Sequence, residues 1–79
     1  LDGEYEVIEA EIIETSELIN KELKNSNLPD EIRIGAILRN DKVIIPRSNF
    51  IFKKDDRVVF LAKKDSISVV ENIFRISSI

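Results

Sequence analysis

The stretch from Ile34 to Ala62 carries three short runs rich in β-branched and aromatic residues, each bounded by turn-forming or charged residues. None is long enough for an apolar period of 3.6 to develop, so the runs fit half-buried faces of a small sheet better than a helix. Strands are predicted over Ile32 to Leu38, Val43 to Ile45 and Arg57 to Ala62. Arg39-Asn-Asp-Lys42 is read as a polar turn, because Asn and Asp tolerate the positive φ of a tight hairpin. Pro46 has no N–H to give a ladder and is expected at a strand end or an edge. Gly35, inside a strand, is expected to mark a bulge or the close approach of another backbone or a ligand.

Upstream, Glu4 to Glu14 alternates polar and apolar residues, with a phase slip at Val7-Ile8. This predicts a strand with a bulge there or with cover on both sides. Its five glutamates are read as a solvated face rather than a cation site. Thr15-Ser16 offers a helix N-cap ahead of Leu18, Ile19 and Leu23, which predicts a helix ending near Asn25, before Asn27 and Pro29. Arg47 to Asp56 reads as a loop holding Phe50-Ile51-Phe52, closed by a Lys53-Lys-Asp-Asp56 turn. A closing helix presents Ile67, Val70, Ile73 and Phe74 on one side, with a capping-box spacing at Ser68 and Glu71 and with Asp65 or Ser66 as other caps. The order is β-α-β-β-β-α, an α+β domain with helices packed on a mostly antiparallel sheet.

Seventy-nine residues make one domain, 1–79, of a size that buries only about 60% of its unfolded surface. The formal charge of −3 argues against a general nucleic-acid binder, which needs a cationic face. No apolar run reaches the roughly 18 residues of a membrane span. A chain that starts at Leu1 without Met is expected to be a piece of a longer protein. The catalytic inventory is poor: with no His and no Cys, the usual base near neutral pH and the strongest nucleophile are both missing. Two glycines cannot build a phosphate loop, and Asp55-Asp56 is read as a turn rather than a metal site. No enzyme is expected. Arg33, Arg39 and Arg47 flank the central strands, where an arginine can hold a phosphate in a bidentate fork or simply cap a sheet.

Ile34-Gly-Ala-Ile-Leu-Arg39, Val43-Ile-Ile-Pro-Arg47 and Asp56-Arg-Val-Val-Phe-Leu61 resemble the TrkA C-terminal domain, also called the RCK C-terminal domain. Ser16-Glu-Leu-Ile19 falls where that family places its first helix, and Leu28-Pro29 where its second strand begins. The chain departs from the pattern at Asn20 and Asp55, where the family commonly has Gly, at Ser48, often Gly, and at Phe50, commonly Thr. The resemblance implies a cytoplasmic regulatory, ligand-sensing and dimerisation domain of a potassium uptake system. Its expected partners are a second copy and, in the parent protein, a Rossmann-like nucleotide-binding domain or a membrane transporter. Other parents within the resemblance are a cation antiporter or exchanger and a transcription regulator; a ligand-free structural dimerisation module is the alternative role. It further implies a small effector, cyclic di-AMP or another, at a pocket whose counterparts here are Ile34, Arg39, Ile44, Ile45, Pro46 and Arg47. An arginine would meet phosphate while the apolar residues pack on bases.

Overall fold

The computed structural model describes residues 4–76; residues 1–3 and 77–79, Leu1 among them, lie outside it. Strand β1 spans Tyr5–Glu11, β2 Ile32–Arg39, β3 Lys42–Ile44 and β4 Arg57–Lys63. Helix α1 spans Ile67–Ile73 and leads into the two-residue strand β5, Arg75–Ile76. All pairings are antiparallel, in the order β3-β2-β4-β1-β5, so β4 is central and β3 forms one edge. The α+β class and the antiparallel sheet are those expected.

The alternation along β4 shows why these residues make strands. Val58, Phe60 and Ala62 are buried, while Arg57, Val59, Leu61 and Lys63 point to the other face. On the buried side Phe60 faces Ile8 and Ile34 across the ladder, and Val58 faces Ala10 and Ile37. Val70 of the closing helix and Phe74, its C-cap residue, seal this core, with the Phe60 and Phe74 rings 5.1 Å apart. Ser66 takes the N-cap position without a side-chain cap bond, one of the three caps considered. The side chain of Ile73, expected on the same helix face, lies outside the described residues.

Two expectations need correction, and one choice between readings is made. The segment after β1 is not an α-helix: it forms turns and a single 3₁₀ turn at Leu23–Asn25. Asn20 takes a φ of 69°, which stops a right-handed helix, and the Ser16 hydroxyl accepts the Leu18 N–H within a local turn. The backbone is then used across space instead, Asn20 N–H donating to Phe52 and Leu23 N–H to Phe50 at 2.9 and 2.7 Å. The bulge is in β2, where the register with β4 shifts between Ile34 and Ala36, and not at Val7-Ile8, whose pairing is continuous. The slip in β1 reflects a Val7 that is simply 65% exposed. Gly35 therefore marks a bulge and not a close approach: a Cβ there would meet the Val59 carbonyl oxygen at 3.6 Å, an ordinary contact.

The hairpin between β2 and β3 is as read. Asn40 and Asp41 both have positive φ, 50° and 64°, the geometry of a tight primed turn. Pro46 follows the end of edge strand β3.

Candidate functional site

The β2–β4 register brings Leu38 opposite Arg57, and continuing the ladder one step sets Arg39 opposite Asp56. The Asp56 side chain is fully buried and Arg39 reaches it with two bonds, Nε to Oδ1 and Nη2 to Oδ2, each 2.7 Å. Lys53 N–H donates to Oδ2 at 2.8 Å, so the carboxylate is held from two sides. Pairing with hydrogen bonds is what makes a buried charge tolerable. Asp56 raises the Arg39 guanidinium above its ordinary value, first through the hydrogen bond. The acidic pair of the turn is thus split in role: Asp55 is exposed at a φ of 71°, and Asp56 anchors the interior.

The same guanidinium fastens the loop after β3. Arg39 Nη2 donates to the Ile51 carbonyl at 2.9 Å, and the Phe50 ring lies 4.9 Å from the guanidinium carbon. Phe50 stands edge-on to Phe52, which is fully buried, at 5.4 Å. The loop is also stitched to the segment before β2: Phe52 N–H donates to Lys21 and Lys24 N–H to Ser48. Phe50 N–H donates to the Arg47 carbonyl at 2.9 Å, closing a turn that carries the exposed Arg47 side chain.

The six candidate ligand residues are spread over β2, the edge strand β3 and the loop after it. Ile34 sits near the start of β2, opposite Phe60, and lines a groove with Leu28, Asp30 and Arg33. Ile44 lies opposite Ile37 and packs against the core. Ile45, 72% exposed, with Pro46 and Arg47 continues from the edge strand into the clamped loop. Arg39 joins that region from the end of β2, with its fork turned inward. Sequence reasoning missed Asp56, Phe50 and Phe52 as parts of this site. Its available signal was an Arg closing one strand and an Asp opening its partner.

On the opposite sheet face, Val7, Val59, Leu61, Leu38 and Val43 make an apolar strip. It is edged by the Glu9–Arg57 pair at 2.6 Å and by Lys63 over the Tyr5 ring at 5.9 Å. The Glu9 bond raises the Arg57 guanidinium above its ordinary value. Among the described residues there is no cluster of three or more acidic, His or Cys side chains that could hold a metal. No described helix is long and apolar enough to cross a membrane.

Fold and site together define a small α+β module built on an antiparallel sheet, with a loop clamped to the end of its second strand. The chain belongs to the TrkA-C domain family, whose model matches residues 7–75. It is 44% identical over 77 residues to the Trk system potassium uptake protein TrkA of Azorhizobium caulinodans, covering 98% of this chain and 17% of that protein. A TrkA homolog of Archaeoglobus fulgidus is 38% identical over 64 residues, 81% of this chain and 15% of that protein. The K(+)/H(+) antiporter NhaP2 of Shewanella baltica is 30% identical over 72 residues, 91% of this chain and 12% of that protein. A solved structure described as an RCK domain with cda matches with a TM-score of 0.73 at 20% identity, covering 87% of this chain and 97% of that one. That likeness is one of fold. The chain spans less than a fifth of the length of these curated relatives.

Proposed function

We propose that this domain is the ligand-sensing and dimerising regulatory module of a potassium uptake system, acting at the cytoplasmic side of the membrane. Its family and its potassium-uptake relatives support the regulatory role. The observation that carries the sensing role is the edge beside the clamped loop. There Ile45 is 72% exposed, two positions before the exposed Arg47, so apolar surface and a cation follow one another along the edge. Such a surface suits a ligand with flat apolar rings and phosphates, and cyclic di-AMP is the effector proposed. The fold neighbour is itself described as an RCK domain with cda. The site comprises Ile44, Ile45, Pro46 and Arg47, with Ile34 and Arg39 at its borders.

A ligand shared by two copies shifts a gate only through its different affinity for the two gate states. Bridging two such edges at one spacing supplies that difference. The partner of the pair is a second copy, and the parent's nucleotide-binding or transporter portion receives the signal. The antiporter relative favours one other setting, the same module regulating cation exchange.

Isothermal titration of the chain with cyclic di-AMP, with light scattering on the same samples, tests the reading. Saturable heat together with a dimer supports it. A dimer without heat leaves the ligand-free structural module, and a monomer at high concentration without heat removes both.

A further inference from the structure

The donors of Arg39 are already committed. A guanidinium binds phosphate as a fork only where one edge presents two free N–H groups. Its Nε/Nη2 edge is filled by the Asp56 carboxylate. On the second edge Nη2 spends its other proton on the Ile51 carbonyl, and Phe50 covers the guanidinium near one face. Neither edge keeps two donors. Arg47 differs: it is exposed, its carbonyl accepts the Phe50 N–H, and among the described residues no hydrogen bond or ion pair engages its guanidinium.

We propose that anion recognition at this loop belongs to Arg47, with Arg39 as a positioning residue that holds the Arg47 turn through Phe50, Ile51 and Asp56. This rests on the reading of the loop as a ligand site. The chain of support runs from the buried Asp56 carboxylate to Arg39, from Arg39 to the Phe50 ring and the Ile51 carbonyl, and from Phe50 N–H to Arg47. Lys24 lies alongside, because its N–H donates to the carbonyl of Ser48, the residue after Arg47. Its exposed ammonium stands 3.9 Å from the half-buried Glu22, a loose pair that an incoming anion can exchange for its own charge. The ligand class is therefore a phosphate-bearing anion met at the outer side of the loop. It is not gripped by the strand-end arginine.

The test follows the Nε–Hε signals of both arginines by NMR while the chain is titrated with cyclic di-AMP and, separately, with sodium pyrophosphate. Affinity and its salt dependence are measured in Arg47→Ala and Arg39→Lys, and amide exchange at Phe50 in each. The expected result is a saturable shift at Arg47 and none at Arg39. Arg47→Ala weakens binding about tenfold or more and flattens the salt dependence, as loss of a charge-assisted contact does. Arg39→Lys keeps the charge but loses the fork; it weakens binding, keeps the wild-type salt dependence and speeds exchange at Phe50. A saturating shift at Arg39 Nε overturns the assignment. So does an Arg39→Lys chain that binds as the wild type does with Phe50 still protected. If the wild type binds neither probe, the ligand-site reading falls and takes the role of Arg47 with it. Exchange at Phe50 then still decides whether Arg39 braces the turn.

Discussion

Arg39 and Asp56, 17 residues apart, form a bidentate pair of two 2.7 Å bonds that joins the end of β2 to the start of β4. One partner is 29% exposed at its side chain and the other 1%, so the pair spans the boundary between interior and surface. Among the described residues no buried side-chain nitrogen or oxygen is left without a partner, and this clamp is the reason at Asp56. Removing one member is therefore costly. Asp56→Ala is expected to destabilise by about 3 kcal/mol, since it leaves Arg39 and the Lys53 N–H without their acceptor. In a domain of this size that lowers Tm by about 12–24 °C. Arg39→Met with Asp56→Leu should cost clearly less than the sum of Arg39→Met and Asp56→Leu made singly. A strictly additive double variant in thermal melts would show that the pair is not coupled.

The same pair makes a prediction about pH. Asp56 raises the Arg39 guanidinium above its ordinary value through the hydrogen bond. A cation raised in the folded state contributes stability that is fully present below its unfolded value and is lost as pH rises through the folded one. For an arginine that window lies in strong alkali. With no histidine in the chain, no side chain ordinarily titrates near neutrality. Urea midpoints should accordingly be flat from about pH 6 to 9, and Asp56→Asn should not change that flatness. A midpoint that moves through this range would show a titrating group that the clamp does not account for.

Asn20 and Asp55, where the sequence resemblance leads one to expect glycine, have φ values of 69° and 71°. A non-glycine residue pays for this conformation, Asn and Asp least. Asp55→Gly is expected to stay within about 1 kcal/mol of wild type, while Asp55→Val should lose about 1–2 kcal/mol through its branched Cβ. Chemical denaturation of the two variants gives the comparison. Equal stabilities would mean that the turn relaxes to another conformation.

Much of this was legible locally. Strands β2 to β4, the Asn40-Asp41 hairpin and the edge position of Pro46 follow from alternation, turn chemistry and a missing N–H. The segment from Ser16 to Asn25 was not, because Leu18, Ile19 and Leu23 have helical spacing while their neighbours' N–H groups are taken by the loop at 48–52. That competition is tertiary and leaves no mark in the spacing. The burial of Asp56 was not legible for a related reason. An acidic pair in a turn reads as solvated until the strand register places one of the two opposite an arginine. The candidate ligand residues were legible only through resemblance; Ile34 lines a groove with Leu23 and Lys24, which bond the loop, and Arg39 turns its fork inward.

Gly35 gives the last prediction. It stands at the register shift between Ile34 and Ala36, and its φ is not positive, so no left-handed backbone requires glycine there. A Cβ would meet only the Val59 carbonyl oxygen, at 3.6 Å, which is ordinary van der Waals distance. Two small effects then oppose each other. Alanine restricts the unfolded chain, a gain of about 0.4–1 kcal/mol. Against it stands any adjustment of the bulge, which the 3.6 Å contact keeps slight. Gly35→Ala should leave Tm unchanged or raise it by a few degrees, whereas a larger β-branched side chain would crowd Val59. Thermal unfolding of Gly35→Ala and Gly35→Val decides the matter. A loss of more than about 2 kcal/mol in the alanine variant would mean that glycine is needed for a close approach made by something other than the described chain, such as a second copy seated on this face.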